Sequence, residues 1–335
     1  MKRILFAVDN SSLSRSVAET TLMIAKVFGS QVIGVHGYNA VLHERAFRIM
    51  EPILPERYRE KSFLTRQREF HDRLIKEVME RISLSYLEPF FPMFDRAGVD
   101  FRWVVREGKN FKVILDVAGE VGADLIVLGS YGFNGVRDGY LGSVCLRVLR
   151  GFGGKVLVVK GKPAMRKVVV GLDGSGYSLN LLKEIGVLAD FFGSELHLLY
   201  VYDTNLHRFV FEKLKKFMYH TKGFSFRSEE QERIHDEFID RGLKRVGEMV
   251  LERGKEVLEE IGFRGKVVCE AVEGFVYEGI CDYARRVGAD LVAVGKFGRH
   301  RTEGTDLGSV AENVVRFSPA SVLVGGPEGS PEWEI

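Results

Sequence analysis

Cysteine is scarce in this 335-residue chain: Cys145, Cys269 and Cys281 form no CxxC and no Cys/His cluster. So sparse and odd-numbered a set excludes a disulfide scaffold and a cysteine zinc site, and it fits a reducing cytoplasm. An excess of one charge is missing too. The 48 lysines and arginines stand against 46 aspartates and glutamates, a net charge of +2. No global field therefore draws the molecule to nucleic acid or an acidic membrane, and a nucleic-acid partner is not expected. No apolar run approaches the roughly 18 residues of a membrane span, and the run after Met1-Lys2-Arg3 meets Asp9 too early for a signal-peptide core. Glutamine occurs only at Gln31, Gln67 and Gln231, a bias that hot-adapted proteins often show. Two familiar nucleotide loops are also lacking: there is no GxxxxGK[ST], and no GxGxxG opens the first helix.

What is present is an ordinary globular composition, 45% hydrophobic and 28% charged, in a length that suits two domains. It is also a repeat. KRILFAVDNS from Lys2 pairs with RKVVVGLDGS from Arg166, which sets Asp9 and Asp173 at matching places 164 residues apart. VGADLIVLGSYG from Val121 pairs with VGADLVAVGKFG from Val287, and LGSV from Leu141 with LGSV from Leu307, at an offset of 166. The chain thus reads as two copies of one unit, residues 1–162 and 163–335, joined near the glycine and proline that follow KVLVV.

In each copy, β-branched runs alternate with helical patterns, the signature of βαβ units on a parallel sheet. The runs are ILFAVD, QVIGVHGY, DFRWVV, DLIVLGS and KVLVVK, then VVVGLD, ELHLLYVY, KVVCEAV, DLVAVGK and SVLVGG. Nearly continuous apolar strands imply a sheet covered on both faces. Between the second and third strands of each copy lies a long charged stretch, about Val41 to Ala97 and Thr204 to Phe263, read as a helical excursion. QREFHDRLI from Gln67 and QERIHDEFI from Gln231 mark the two as related. His71-Asp72 and His235-Asp236 inside them read as exposed helix polarity ahead of a metal or relay site. Phe209, Phe211, Phe217 and Tyr219 read as one helix's apolar side.

The feature that carries chemistry is a glycine loop: Gly129-x2-Gly132-x9-Gly142-Ser143, and Gly295-x2-Gly298-x9-Gly308-Ser309. Its first glycine ends the fourth strand, where ligands bind in open α/β sheets. Glycines let backbone N–H groups approach phosphate oxygens, and the serine opens a helix whose N-terminus favours an anion. A serine before a helix is often only a cap, but two copies with identical nine-residue gaps weigh against that. Within the gaps Arg137 stands beside Asp138, whereas the second copy offers Arg299, His300 and Arg301. The second site is therefore expected to prefer more highly phosphorylated nucleotides, with Arg137, Arg299 and Arg301 as phosphate contacts.

The spacing Gly-x2-Gly-x9-Gly-Ser, with an aspartate ending the first strand, resembles the ATP-binding branch of the universal stress protein family, and the likeness to a tandem member covers nearly the whole chain. The resemblance implies two tandem five-stranded parallel α/β sheets sandwiched by helices, Rossmann-like and of the adenine nucleotide alpha hydrolase-like kind. ATP, AMP or ADP would lie between the first and fourth strands; apart from the resemblance, an acid at a strand's carboxyl end faces the ligand, which leaves Mg²⁺ at Asp9 or Asp173 open. Carried over by motif, Asp9 and Asp173 would meet the nucleoside and Gly129 and Gly295 the ribose. Gly132, Gly142, Ser143, Val144, Gly298, Gly308, Ser309 and Val310 would cradle phosphates. The family's adenine-contacting valine is matched by Val201, while the first copy has His36-Gly37 and departs from it.

No second acid or histidine is repeated near the loops, so no catalytic residue is named and a cytoplasmic, stress-response regulator is expected ahead of an enzyme. Weak ATPase activity stays open. The rival readings are an adenine-nucleotide hydrolase or adenylyl-transfer enzyme and a nucleotide-independent scaffold. An unknown protein partner is expected on the excursions, whose deletion should spare nucleotide binding. Edge strands KVLVV and SVLVGG are expected to pair as an intramolecular pseudo-dimer, with a homodimer also open.

Overall fold

The computed structural model describes residues 1–132, 141–204, 209, 213, 241–298 and 306–326. The chain divides into two compact units, Met1–Val159 and Lys160–Ile335. In the first, the elements run β1 (Arg3–Ala7), α1 (Ser14–Phe28), β2 (Gln31–Tyr38), α2 (Ala40–Met50), α3 (Lys61–Leu87), α4 (Phe91–Arg96), β3 (Phe101–Glu107), α5 (Asn110–Val121), β4 (Leu125–Gly129), α6 (Ser143–Gly151) and β5 (Lys155–Val159). In the second they run β6 (Lys167–Gly171), α7 (Gly176–Phe192), β7 (Glu195–Tyr202), α8 (Arg241–Glu260), β8 (Val267–Glu273), α9 (Val276–Val287), β9 (Leu291–Val294), α10 (Ser309–Phe317) and β10 (Ser321–Val324).

Within each unit all described pairings are parallel. The first sheet has the order β3-β2-β1-β4-β5, and the second β8-β7-β6-β9-β10. The chain winds outward one way from β1, through β2 and β3, then crosses back to β4 on the other side. The strand order thus reverses between β1 and β4, and between β6 and β9, and the crevice above that reversal is where such folds place a ligand.

The apolar runs become strands because β-branched side chains pack well on a pleated, doubly covered surface. Ile4, Leu5, Phe6, Leu125, Ile126 and Val127 are all shut off from solvent. Both faces are covered, as two glycines of β2 show: a Cβ on Gly34 would strike Leu87 of α3, and one on Gly37 would strike Asn110 and Val113 of α5. Three residues apart on a strand, they point to opposite sides. The excursion is anchored at its far end, where buried Phe94 of α4 stacks on Phe101 at 4.6 Å.

The repeated Val-Gly-Ala-Asp is a folding device. Its glycines, Gly122 and Gly288, close α5 and α9 in the left-handed conformation that a side chain disfavours. Its aspartates tie β4 and β9 to the start of the neighbouring central strand: Arg3 N–H donates to Asp124 (3.0 Å), and Arg166 and Lys167 N–H donate to Asp290 (2.8 and 3.1 Å).

No helix among the described residues is long and apolar enough to cross a membrane. Phe209 departs from its expected place on a buried apolar side: it is 60% exposed, with the Lys213 ammonium 5.3 Å from its ring centroid. A ring flanked by basic residues gains from a cation over its face without being buried. Phe211, Phe217, Tyr219, His235 and Asp236 lie outside the described residues.

Candidate functional site

Just past β1, the carboxylate of Asp9 is fixed by its own neighbours. Oδ1 accepts from Ser11 N–H (2.9 Å) and from the Ser14 hydroxyl (3.1 Å). The second copy repeats this: Oδ1 of Asp173 accepts from Ser175 N–H (3.0 Å) and from the hydroxyls of Ser175 (2.6 Å) and Ser178 (2.8 Å). The other oxygen, Oδ2, faces the loop. A Cβ on Gly132 would sit 3.0 Å from Asp9 Oδ2, and one on Gly298 would sit 3.2 Å from Asp173 Oδ2. The second glycine of each loop thus lies tight against a carboxylate, which must give way if a Cβ is added.

Ser14 and Ser178 escaped notice in the sequence, although Asp-x4-Ser recurs at the same 164-residue offset. Helix starts differ slightly between copies. Ser175 caps α7, accepting from Ser178 N–H at 3.4 Å, whereas α1 begins at Ser14 with no side-chain cap.

The loop closes on itself. Gly142 N–H donates to Ser130 O (2.8 Å) and Gly308 N–H to Lys296 O (2.9 Å). These two amides are spent holding the turn, so Gly142 and Gly308 shape an anion site without donating to it. Each is also the residue that caps the last helix, with extended backbone. Ser143 and Ser309 follow as first helical residues, not caps. Leu146 N–H and Glu312 N–H are the first to bond back, to Gly142 O and Gly308 O. The amides of Ser143 and Val144, and of Ser309 and Val310, therefore have no partner inside their helices and stand at the positive end of the helix dipole. Arg137, Arg299 and Arg301 fall outside the described residues, as do Asp138 and His300.

In the first unit these pieces line one cavity of about 810 Å³. Asp9, Ser14, Gly129, Gly132, Gly142, Ser143 and Val144 form its loop end. Its other wall is Met79, Ile82, Ser83 and Tyr86, one face of α3 at helical spacing. Nothing in the sequence tied that face to the glycine loop. His36 joins it, its ring edge-on to Tyr86 at 5.1 Å. Burial holds the His36 pKa below the usual imidazole value, with the nearby Asp9 charge opposing.

The missing valine of the first copy has a packing explanation. In the second copy Val201 on β7 meets Gly279 on α9, where a Cβ would lie 2.8 Å from Val201 Cγ1. In the first copy the roles are exchanged: Gly37 is on the strand and Val113 on the helix, 3.1 Å from where a Gly37 Cβ would stand. One valine fills the strand-helix gap in each case.

No group of three or more histidine, cysteine or acidic side chains suited to a metal occurs among the described residues. Asp9 and Asp173 could each offer one carboxylate to a cation that arrives with a polyphosphate, but neither makes a metal cage. His71 Nδ1 and Asp72 Oδ1 lie 3.9 Å apart on α3, both partly exposed.

Comparison with known proteins agrees with this architecture. Residues 1–160 and 165–324 each match the universal stress protein family. A universal stress protein of Methanocaldococcus jannaschii is 29% identical over 168 residues, half of this chain and 86% of that protein. One of Synechocystis is 27% identical over 161 residues, 47% of this chain and 97% of that protein. In fold, the crystal structure of a universal stress protein from Archaeoglobus fulgidus superposes with a TM-score of 0.61 at 19% identity, covering 97% of this chain and 98% of that one. With two family matches spanning both copies of the repeat, the chain belongs to the universal stress protein family and carries its domain in tandem.

Proposed function

We propose that each half binds an adenine nucleotide, ATP above all, and that the chain is a nucleotide-responsive regulator in the cytoplasm. The observation that carries this reading is the cavity of the first unit, which joins a helix N-terminus suited to phosphate with a wall of apolar and aromatic groups suited to a base. The phosphates would be held by the amides of Ser143 and Val144, and of Ser309 and Val310. Asp9, locked through Oδ1, would offer Oδ2 to a sugar hydroxyl, and Asp173 stands at the matching place of the second copy.

Regulation follows from the position of α3. Its Met79, Ile82, Ser83 and Tyr86 wall the cavity, while Phe70, Leu74 and Val78 of the same helix are exposed. A ligand that orders the wall therefore acts on an apolar surface that a partner protein would cover. The second site is the better match for triphosphates, given Arg299, His300 and Arg301 in its gap. Mass spectrometry of small molecules released from the purified chain, followed by an ADP-release assay with Mg²⁺, tests the reading. Co-purified ATP with negligible turnover supports a regulator; rapid turnover would make it an enzyme, and a protein that neither carries nor takes up nucleotide would make it a scaffold.

A further inference from the structure

We infer that the first half recognises the nucleobase of its ligand through the His36 imidazole; the inference rests on the nucleotide-binding reading above and extends it to a residue outside the glycine motif. His36 Nδ1 is shut off from solvent and has no hydrogen-bond partner among the described residues. A buried polar nitrogen left unmet costs free energy, and this one belongs to a ring that lines the cavity. Around it stand Tyr86, edge-on at 5.1 Å, and the Met79 and Ile82 side chains of α3. Aromatic, thioether and aliphatic surface is what a flat heteroaromatic ring packs against. A neutral imidazole carries one donor and one acceptor, and adenine's exposed edges present both an amino donor and ring-nitrogen acceptors.

The other half lacks this group. Tyr200 occupies the position matching His36, is 3% exposed, and lies beneath Gly247 of α8, where a Cβ would come within 2.5 Å of its ring. The two sites of one chain therefore hold their bases differently.

The test uses the full chain with its second site blocked by Gly298→Leu, whose side chain would run into the Asp173 carboxylate. Calorimetric titration with ATP, and separately with inorganic tripolyphosphate, divides the base end of the site from the anion end. His36→Leu is expected to weaken ATP roughly tenfold while leaving tripolyphosphate unchanged, and His36→Gln, which keeps a donor and an acceptor, to restore most of the loss. Equal ATP affinity in His36→Leu and its parent overturns the inference, and so does an equal loss for both ligands, which marks a general disturbance of the site. Should His36→Leu fail to fold, the unmutated chain labelled with ¹⁵N-histidine gives the same answer. The His36 ring nitrogens are expected to shift with ATP and to stay in place with tripolyphosphate, and no shift at ATP saturation overturns the inference. A parent chain that binds neither ligand removes the nucleotide-binding reading itself, a result distinct from loss of the base contact alone.

Discussion

At Asp9 one carboxylate oxygen is occupied by Ser11 and Ser14 and the other faces Gly132, and Oδ1 of Asp173 is held in the same way by Ser175 and Ser178. A carboxylate held on one side presents its second oxygen in a fixed direction, which lowers the ordering cost of binding. Ser14→Ala or Ser178→Ala should therefore weaken ATP at its own site about fivefold, near 1 kcal/mol, without changing the other; calorimetry on the separately blocked sites reads this. Asp290→Ala should leave binding alone and destabilise the second unit by about 1–3 kcal/mol, because two strand N–H groups lose a charged acceptor. Urea unfolding checks it, and an unchanged midpoint would show that the Val-Gly-Ala-Asp tie contributes nothing. The acid and the glycines were legible in the sequence because backbone geometry restricts those positions to few residue types. Ser14 and Ser178 were not singled out, and His36 was named only for the valine missing beside it, since a serine or histidine has many uses and only folding shows which neighbour it meets.

Between elements, the exchanged glycine and valine of β2 with α5 and of β7 with α9 form a natural compensating pair. Gly37→Val alone should overfill the gap against Val113 and cost about 1–3 kcal/mol. Gly37→Val with Val113→Gly should recover the part of that loss owed to Val113, the Asn110 backbone 3.0 Å from the new Cβ keeping the rest, and a double-mutant cycle in urea measures the coupling. Additive losses would show that the gap is not shared. The strands themselves were readable to within a residue or two, as β2 and β7 illustrate, because period and β-branching are local properties. The role of α3 was not, since a charged amphipathic helix does not announce which cavity it walls. Excision of residues 41–97, expected from sequence to spare nucleotide binding, removes buried Leu87 and Phe94 along with the cavity wall, and so should abolish it. The same helix carries both the cavity wall and the exposed Phe70, Leu74 and Val78.

At the scale of the whole molecule, two histidines among the described residues are pushed toward their neutral form by burial: His36 in the first unit, and His197 in the second, whose Nδ1 lies 2.9 Å from the Tyr283 hydroxyl. Their folded pKa values lie below the unfolded value of 6.5. Their contribution is complete above pH 6.5 and is lost as pH falls from there through the folded values, because the unfolded chain then binds more protons. The urea midpoint should accordingly fall between pH 7.5 and pH 5.5, and His197→Gln should flatten the part of that slope owed to the second unit. The tandem architecture was plain from the repeat, whereas the side chain that stands beneath each excursion, His36 by Tyr86 or Tyr200 by Gly247, is a difference that only the fold gives a neighbour to. The central claim is that the first free amides of α6 and α10 grip a polyphosphate, and a crystal structure of the chain grown with ATP tests it most directly. The account predicts phosphate density against the amides of Ser143 and Val144 and of Ser309 and Val310, with adenine of the first site beside His36. Saturating ATP that leaves both helix ends unoccupied, or that binds away from the glycine loops, would contradict it.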